Sequence, residues 1–184
     1  MATLPKTGTV TYEEWLQMPI VDGREEVVNG EIRIMPPNKM PHPKIVGNLT
    51  VAFLRQLDLK AAQFFGSTFG LVIRREPLTC RSPDIAVFDR STMVEQDGYV
   101  HSAPQLAIEV LSPSETRKEI LEKLRDYESI GIAEVWLVSP EASHVEILLL
   151  ENGKLRRSTI LAEGLLKPKH FPTVQIDISE IWPD

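Results

Sequence analysis

The sequence has very little cysteine, and its histidines are few and scattered. Cys80 is the single cysteine among 184 residues, which excludes an internal disulfide and a cysteine-rich zinc site and predicts one small buried thiol. A histidine zinc site is excluded as well, because the histidines lack the short spacing that such a site needs. The four histidines are His42, His101, His144 and His170.

Long apolar runs are also missing. No stretch approaches the roughly 20 apolar residues that a helix needs to cross a bilayer. The amino terminus lacks the basic segment followed by an apolar stretch that marks a secretory signal. From these two features we expect no contact with a membrane and a cytoplasmic location.

The chain has no excess of positive charge. Twenty Lys and Arg residues against 26 Asp and Glu residues give a formal net charge of −6. Because duplex binding draws affinity from neutralised phosphates, this balance argues against a nucleic-acid binder, although a local basic face can coexist with an acidic remainder. With 42% hydrophobic and 25% charged residues, the composition is that of a globular protein, and the length predicts one domain over residues 1–184.

Local sequence signals predict helices and turns at several places. Capping-box patterns, Thr11 with Glu14 and Thr116 with Glu119, predict a short helix over 12–17 and an amphipathic helix that ends at Gly131. Apolar residues at helical spacing predict a further helix over about 43–59. Two Asn-Gly pairs, at 29–30 and 152–153, predict β-hairpins over 26–34 and 145–161.

Short β-rich segments between Gly, Pro, Ser and Asp residues predict the strands. They cover 69–75, 83–88, 105–111 and 134–138, and a short strand or helix is expected over 176–182. The order from 43 to 139 is then helix, three strands, helix, strand. This order predicts an α+β fold with a mixed central sheet flanked by helices, and with added amino-terminal and carboxyl-terminal hairpins.

Two carboxylates stand inside apolar strands. The strand period of two places Asp84 on the face of Ala86 and Phe88, and Glu109 is the only charge in the run 106–111. Buried carboxylates are unfavourable unless something compensates them, and a divalent cation between the two would do so. Mg²⁺ suits such a site, because it binds a few carboxylate oxygens and keeps several waters.

Lys123 is predicted on the edge of the apolar stripe of its helix. Ile120, Leu124 and Tyr127 form that stripe, and Lys123 falls about 60° from its centre. The side chain should therefore point toward the sheet edge rather than straight out. A lysine there could stabilise negative charge on a phosphate or orient an attacking water.

Several motifs together resemble the Uma-two family. They are Arg-Glu-Glu-Val-Val-Asn-Gly-Glu at 24–31, the Pro-Pro loop with His42, Pro83-Asp84, the run 108–114, Lys123 with Tyr127, and the segment 131–136. That family is assigned to the PD-(D/E)XK nuclease superfamily, which has a restriction-endonuclease-like fold. The resemblance spans roughly 11–182, with a nuclease core at about 43–139.

The resemblance implies nuclease chemistry without naming a substrate. Our hypothesis is a Mg²⁺-dependent DNA endonuclease, with Mn²⁺ as a substitute ion, that hydrolyses phosphodiester bonds by a metal-activated water. Asp84 and Glu109 would be the metal-binding carboxylates, and Lys123 would replace the lysine that most superfamily members carry at the position of Leu111. Glu26 would be an accessory ligand or a water-positioning base, and His42 matches the family's loop histidine as an accessory residue. Many nucleases of this fold act as dimers, so a homodimer is expected.

Other interpretations of these residues remain open at this stage. Asp84 can accept backbone hydrogen bonds at the start of a strand, and Lys123 can be a surface lysine whose stem packs along a helix flank. Glu109 can form a structural ion pair with Lys123 or Arg81. The whole protein can then be an inactive nuclease-like module that binds nucleic acid or a protein partner, or a structural dimer whose charged cluster fixes strand register.

Overall fold

The computed structural model describes residues 8–19, 24–67 and 69–183. Within them lie the helices α1 (Tyr12–Leu16), α2 (His42–Leu54) and α3 (Arg117–Ile130). The strands of the first half are β1 (Arg24–Val28), β2 (Glu31–Met35), β3 (Ala62–Gly66), β4 (Leu71–Arg75), β5 (Leu78–Arg81), β6 (Ile85–Asp89), β7 (Glu95–Gln96) and β8 (Tyr99–Val100). Those of the second half are β9 (Leu106–Val110), β10 (Glu134–Ser139), β11 (His144–Glu151), β12 (Lys154–Leu161), β13 (Leu165–Leu166) and β14 (Ile176–Asp177), and a 3₁₀ turn covers Ile178–Glu180.

The predicted mixed central sheet is present, in the order β12-β11-β10-β9-β6-β3. β9 and β10 are parallel, while the other neighbours in this sheet are antiparallel. A parallel pair needs a long crossover, and α3 supplies it. The predicted carboxyl-terminal hairpin, β11 with β12, extends this sheet at one edge.

A second six-stranded sheet was not predicted. Its order is β2-β1-β5-β4-β8-β7, and it incorporates the predicted amino-terminal hairpin, whose Asn29 and Gly30 have φ values of 53° and 82°. The chain leaves this sheet at the end of β5 and enters the central sheet at the start of β6. Asp84 therefore lies in the short link between the two sheets.

The strand count between α2 and α3 differs from the prediction. Seven strands, β3 to β9, occupy the described part of this region instead of three. The four additional strands, β3, β5, β7 and β8, have five, four, two and two residues. β5 and β7 pair with the neighbouring strands β4 and β8 across two-residue turns, whereas β3 pairs with β6. Strands of two to four residues are too short to show the alternating pattern that predicts a strand.

The helices begin where the sequence predicts, and two end early. Both capping boxes are formed, and Gly131 closes α3 in the left-handed conformation with φ 83°. α1 ends at Leu16, one residue before the predicted end, and α2 ends at Leu54, five residues before. After α2 the Asp58 side chain accepts from the Lys60 backbone N–H at 2.9 Å, a local bond that favours a turn over continued helix.

The inner strands β6, β9 and β10 of the central sheet are buried on both faces. On one face α2 packs Ile45, Leu49 and Phe53 against strand residues that include Trp136. On the other face Tyr127 of α3 lies in a cluster with Ala86, Phe88 and Ala107. Because side chains alternate along a strand, Glu109 shares the face of Ala107 and meets α3.

The prediction of a single buried thiol is confirmed, since Cys80 is free and 2% exposed. In the described ranges, no helix is both long and apolar enough to cross a membrane.

Candidate active site

Four of the five predicted site residues line one cavity of about 660 Å³: Asp84, Glu109, Lys123 and His42. Asp84 immediately precedes β6, and Glu109 lies near the end of β9, the strand that pairs antiparallel with β6. His42 is the first residue of α2 and Lys123 lies in α3. Strand pairing and two helices thus bring together residues that are up to 81 positions apart in the chain.

Asp84 is 1% exposed and is held by three hydrogen-bond donors. Its Oδ2 accepts from the Val110 backbone N–H at 2.8 Å and lies 3.1 Å from His42 Nε2, and its Oδ1 accepts from Arg24 Nη1 at 2.7 Å. Burial opposes ionisation, but the His42 hydrogen bond and the Arg24 charge lower the pKa of Asp84 below its ordinary value. The carboxylate is therefore ionised and fixed next to the backbone of β9.

Glu109 is 4% exposed and bonds to two residues of α3. Its Oε2 accepts from Lys123 Nζ at 2.9 Å, and its Oε1 accepts from the Tyr127 hydroxyl. Burial raises the pKa of Glu109, the Lys123 ammonium opposes that rise, and the nearby Asp84 charge adds to it. The carboxylates of Glu109 and Asp84 thus lie close enough to affect each other electrostatically.

The Lys123 side chain points to the sheet, as its position on the helix predicted. It is 8% exposed, and besides Glu109 it lies 3.5 Å from Glu115 Oε1. Burial works against the charged ammonium, yet the carboxylates of Glu109, Glu26 and Glu115 together raise the pKa of Lys123. Lys123, rather than Arg81, is therefore the partner of Glu109.

Glu26 is buried but does not line the cavity. Its Oε2 accepts from Arg81 Nη1 at 2.9 Å and its Oε1 from the Ser82 backbone N–H at 3.2 Å. Arg81 also donates to Asp126 Oδ2 from Nη2 at 2.6 Å and from Nε at 2.8 Å. This network ties β1 to β5 and α3. Glu26 therefore lies near enough to act electrostatically on Lys123, but it is not part of the cavity lining.

Arg24 is a cavity residue for which the sequence predicted no role. It donates to Asp84 and also to the backbone carbonyl of Ser82. The sequence offers only an indirect indication of a role for Arg24: the period of two along β1 places it on the same face as Glu26, which was predicted as a site residue. The approach of Arg24 to Asp84, however, depends on the pairing of β1 with β5 in the unpredicted sheet.

The remaining walls of the cavity come from two loops. Proline and methionine residues between Met35 and Pro41 form one side, and Ser112, Pro113, Ser114 and Glu115 form another. Glu115 is anchored by the Ser112 backbone N–H at 2.9 Å. The walls are thus largely apolar, and the ionic groups are concentrated around Asp84 and Glu109.

The donor set fits a hard divalent cation that keeps most of its waters. A carboxylate offers about four acceptor sites; Asp84 uses three of them and Glu109 two, so oxygen lone pairs remain on both. Across residues 8–19, 24–67 and 69–183, no group of three or more His, Cys, Asp and Glu side chains is arranged to hold a metal by itself. Asp84 and Glu109 would hold the ion, and Mg²⁺ suits such a sparse oxygen site.

Comparisons with known proteins identify the family and the fold. The chain matches the family model "Uma2: Putative restriction endonuclease" over residues 12–179, whereas no curated protein has a significantly similar sequence. Among solved structures, it is similar to the crystal structure of "a putative nuclease belonging to DUF820 from Anabaena variabilis ATCC 29413", with a TM-score of 0.76 and 19% identity. That match covers 94% of this chain and 97% of the other. The nuclease-like fold is therefore confirmed, and the chain belongs to the Uma2 family of putative restriction endonucleases.

Proposed function

We propose that this protein is a divalent-metal-dependent endonuclease that hydrolyses DNA, with Asp84 and Glu109 as the metal ligands. The proposal depends on one observation: the buried carboxylates of Asp84, next to the start of β6, and Glu109, in the neighbouring strand β9, line one cavity together with the Lys123 ammonium. The family supports a nuclease and a nucleic-acid substrate. The proposal has five finer parts: Mg²⁺ is the natural ion, DNA rather than RNA is the substrate, the protein acts as a homodimer, residues 1–184 form one domain, and the location is cytoplasmic.

Each site residue has a role that its contacts support. A bound divalent ion supplies charge for the transferred phosphate and makes water a stronger nucleophile near neutral pH. Lys123 holds Glu109 in place and offers its ammonium to a phosphate oxygen in the cavity. His42 and the Val110 backbone N–H orient Asp84. Glu26 acts indirectly, as a positioning residue that fixes Arg81 and the Ser82 backbone near Asp84.

The test is cleavage of DNA and RNA by the purified protein with Mg²⁺ or Mn²⁺. Asp84→Ala should abolish metal-stimulated cleavage while thermal unfolding shows that the variant stays folded. Glu95→Ala is the control, because it also removes one carboxylate but does so from the exposed edge strand β7. Cleavage by Asp84→Ala at the wild-type rate would refute the assignment.

A nuclease-like module without catalysis is the second candidate, and one observation favours it. Each carboxylate already has a protein cation as partner, Arg24 for Asp84 and Lys123 for Glu109. Calorimetry separates the two functions: a folded wild-type protein that binds neither Mg²⁺ nor Mn²⁺, with or without nucleic acid, would be the non-catalytic module.

A further inference from the structure

We propose that Arg24 and Lys123 fill the role of the metal charge in the metal-free site, so that a divalent ion binds tightly only together with the phosphodiester of the substrate. In this arrangement Arg24 is the residue that keeps metal affinity low until the substrate arrives. The inference rests on the proposed nuclease function and concerns the order in which the site is filled.

The contacts of Arg24 oppose binding of a metal ion by itself. Its guanidinium spans from Asp84 Oδ1, at 2.7 Å, to the Ser82 carbonyl, and its side chain is 16% exposed. A cation bound between Asp84 and Glu109 would need the lone pairs beside this guanidinium. With a guanidinium and an ammonium both in contact with the carboxylate pair, a further double positive charge meets direct repulsion.

The charges that line the cavity favour binding of the ion together with a phosphate. Three are cationic and four are anionic: Arg24, Lys39 and Lys123 against Asp84, Glu109, Glu115 and Glu141. These seven groups give a net charge of −1. A divalent ion alone would change it to +1, and a phosphodiester with one negative charge would bring it to zero. Buried charge is tolerated only when it is compensated, so the ion and the phosphate stabilise each other in this cavity.

The ionic groups next to the cavity are paired mainly with one another. Glu26, Asp126 and Glu122 are bonded to or lie within salt-bridge distance of Arg81, Arg74 and Arg33. Three carboxylates thus face three guanidiniums, and this second cluster adds no net charge. Glu26 does act electrostatically on Lys123 and Arg24, but the formal charge of the site is that of the cavity residues.

An unpartnered donor supports the anionic half of the proposal. Arg24 Nε is buried and has no hydrogen-bond acceptor in the described part of the chain. A buried N–H without a partner is unfavourable. Because Arg24 Nε is closed to solvent, a phosphate oxygen would become its acceptor only after the Arg24 side chain moves, and the gain of that hydrogen bond would favour such a movement. The same side chain that opposes the metal alone would therefore favour the metal with its substrate.

Calorimetric titration of metal-free protein with MnCl₂ tests the proposal without any measurement of cleavage. Dimethyl phosphate is the probe for the phosphodiester, because it has one negative charge and is inert. For the wild type we expect weak Mn²⁺ binding that becomes at least about fivefold tighter when dimethyl phosphate is present, and by reciprocity Mn²⁺ tightens dimethyl phosphate equally. Arg24→Gln should bind Mn²⁺ alone at least about tenfold more tightly than the wild type, with a smaller further gain from the phosphodiester.

Two variants serve as controls. Arg24→Lys keeps the charge and should bind Mn²⁺ as the wild type does, within about threefold. Arg157→Gln removes the same charge from β12, where the side chain is 59% exposed, and should leave Mn²⁺ affinity unchanged because exposed charges are screened.

The outcomes separate this inference from the proposed function. Equal or weaker Mn²⁺ binding by Arg24→Gln, or wild-type binding that ignores dimethyl phosphate, would overturn the inference while metal binding itself still supports a nuclease. The phosphate titration needs no substitution, so it decides the matter even if Arg24→Gln fails to fold. Absence of Mn²⁺ binding in every variant and condition would overturn the proposed function and this inference with it.

Discussion

Replacing Glu109 by Gln should destabilise the metal-free protein. The substitution keeps the shape of the side chain but removes the charge that faces Lys123 Nζ at 2.9 Å. Breaking a buried ion pair from one side costs about 3–5 kcal/mol in typical cases. Two features reduce this figure here: Glu115 stays 3.5 Å from the ammonium, and burial of the Glu109 carboxylate is itself unfavourable. We therefore expect a loss of about 2–3 kcal/mol in the free energy of unfolding.

Urea unfolding at neutral pH in the presence of a chelator measures this loss. Glu146→Gln is the matched control, because its partner Arg157 is exposed and 3.8 Å away, and exposed pairs contribute less than about 1 kcal/mol. Lys123→Met and the double variant complete a mutant cycle. The double variant should lose less than the sum of the single losses, because Glu109 and Lys123 are direct partners. If Glu109→Gln is as stable as the wild type or more stable, Lys123 does not compensate Glu109, and the site is a strained one that requires a cation in order to be stable.

Two further predictions concern the same ionic groups. The pKa of Asp84 is lower in the folded protein than in the unfolded chain, so its contribution to stability is complete above about pH 4 and is lost as the pH falls through the folded-state pKa. Asp84→Asn should therefore lose less stability than the wild type between about pH 5 and pH 2. An unchanged acid dependence in urea titrations would contradict this. Arg81→Met leaves the buried carboxylates of Glu26 and Asp126 without their main partner, so the free energy of unfolding should fall by about 3–5 kcal/mol. The control Arg157→Met, at an exposed position, should leave the free energy of unfolding almost unchanged. If Arg81→Met lowers it by less than about 1 kcal/mol, other groups compensate these carboxylates.

The parts of the fold that could be predicted are those with a local physical cause. Thr116 with Glu119 begins α3, and Gly131 ends it, because each satisfies backbone groups within one turn of the helix. Asn29-Gly30 and Asn152-Gly153 adopt positive φ values that hairpin turns require. The second sheet could not be predicted in this way, since its joins, such as β1 with β5 and β4 with β8, link segments that are far apart in the chain.

The same distinction applies to the site. Asp84, Glu109 and Lys123 could be grouped because a charge in an apolar strand or beside an apolar helix stripe is conspicuous in the sequence. Arg24 has no such signal of its own, because arginine at the start of a hairpin is ordinary. Glu26 was predicted as a site residue, but only the structure reveals that Arg81 and the Ser82 backbone hold it outside the cavity lining.

The amino-terminal hairpin and its sheet are therefore part of the site rather than an addition to a nuclease core. The central sheet supplies Glu109, Asp84 lies in the link that leads into it, and Arg24, the cation beside Asp84, comes from β1 of the other sheet. The Glu26–Arg81–Asp126 network fixes β1 and β5 against α3, which is also the helix that supplies Lys123. Any shift between the sheets would change both cations relative to Asp84 and Glu109, so the affinity of the site for an ion depends on how firmly this network holds the two sheets together.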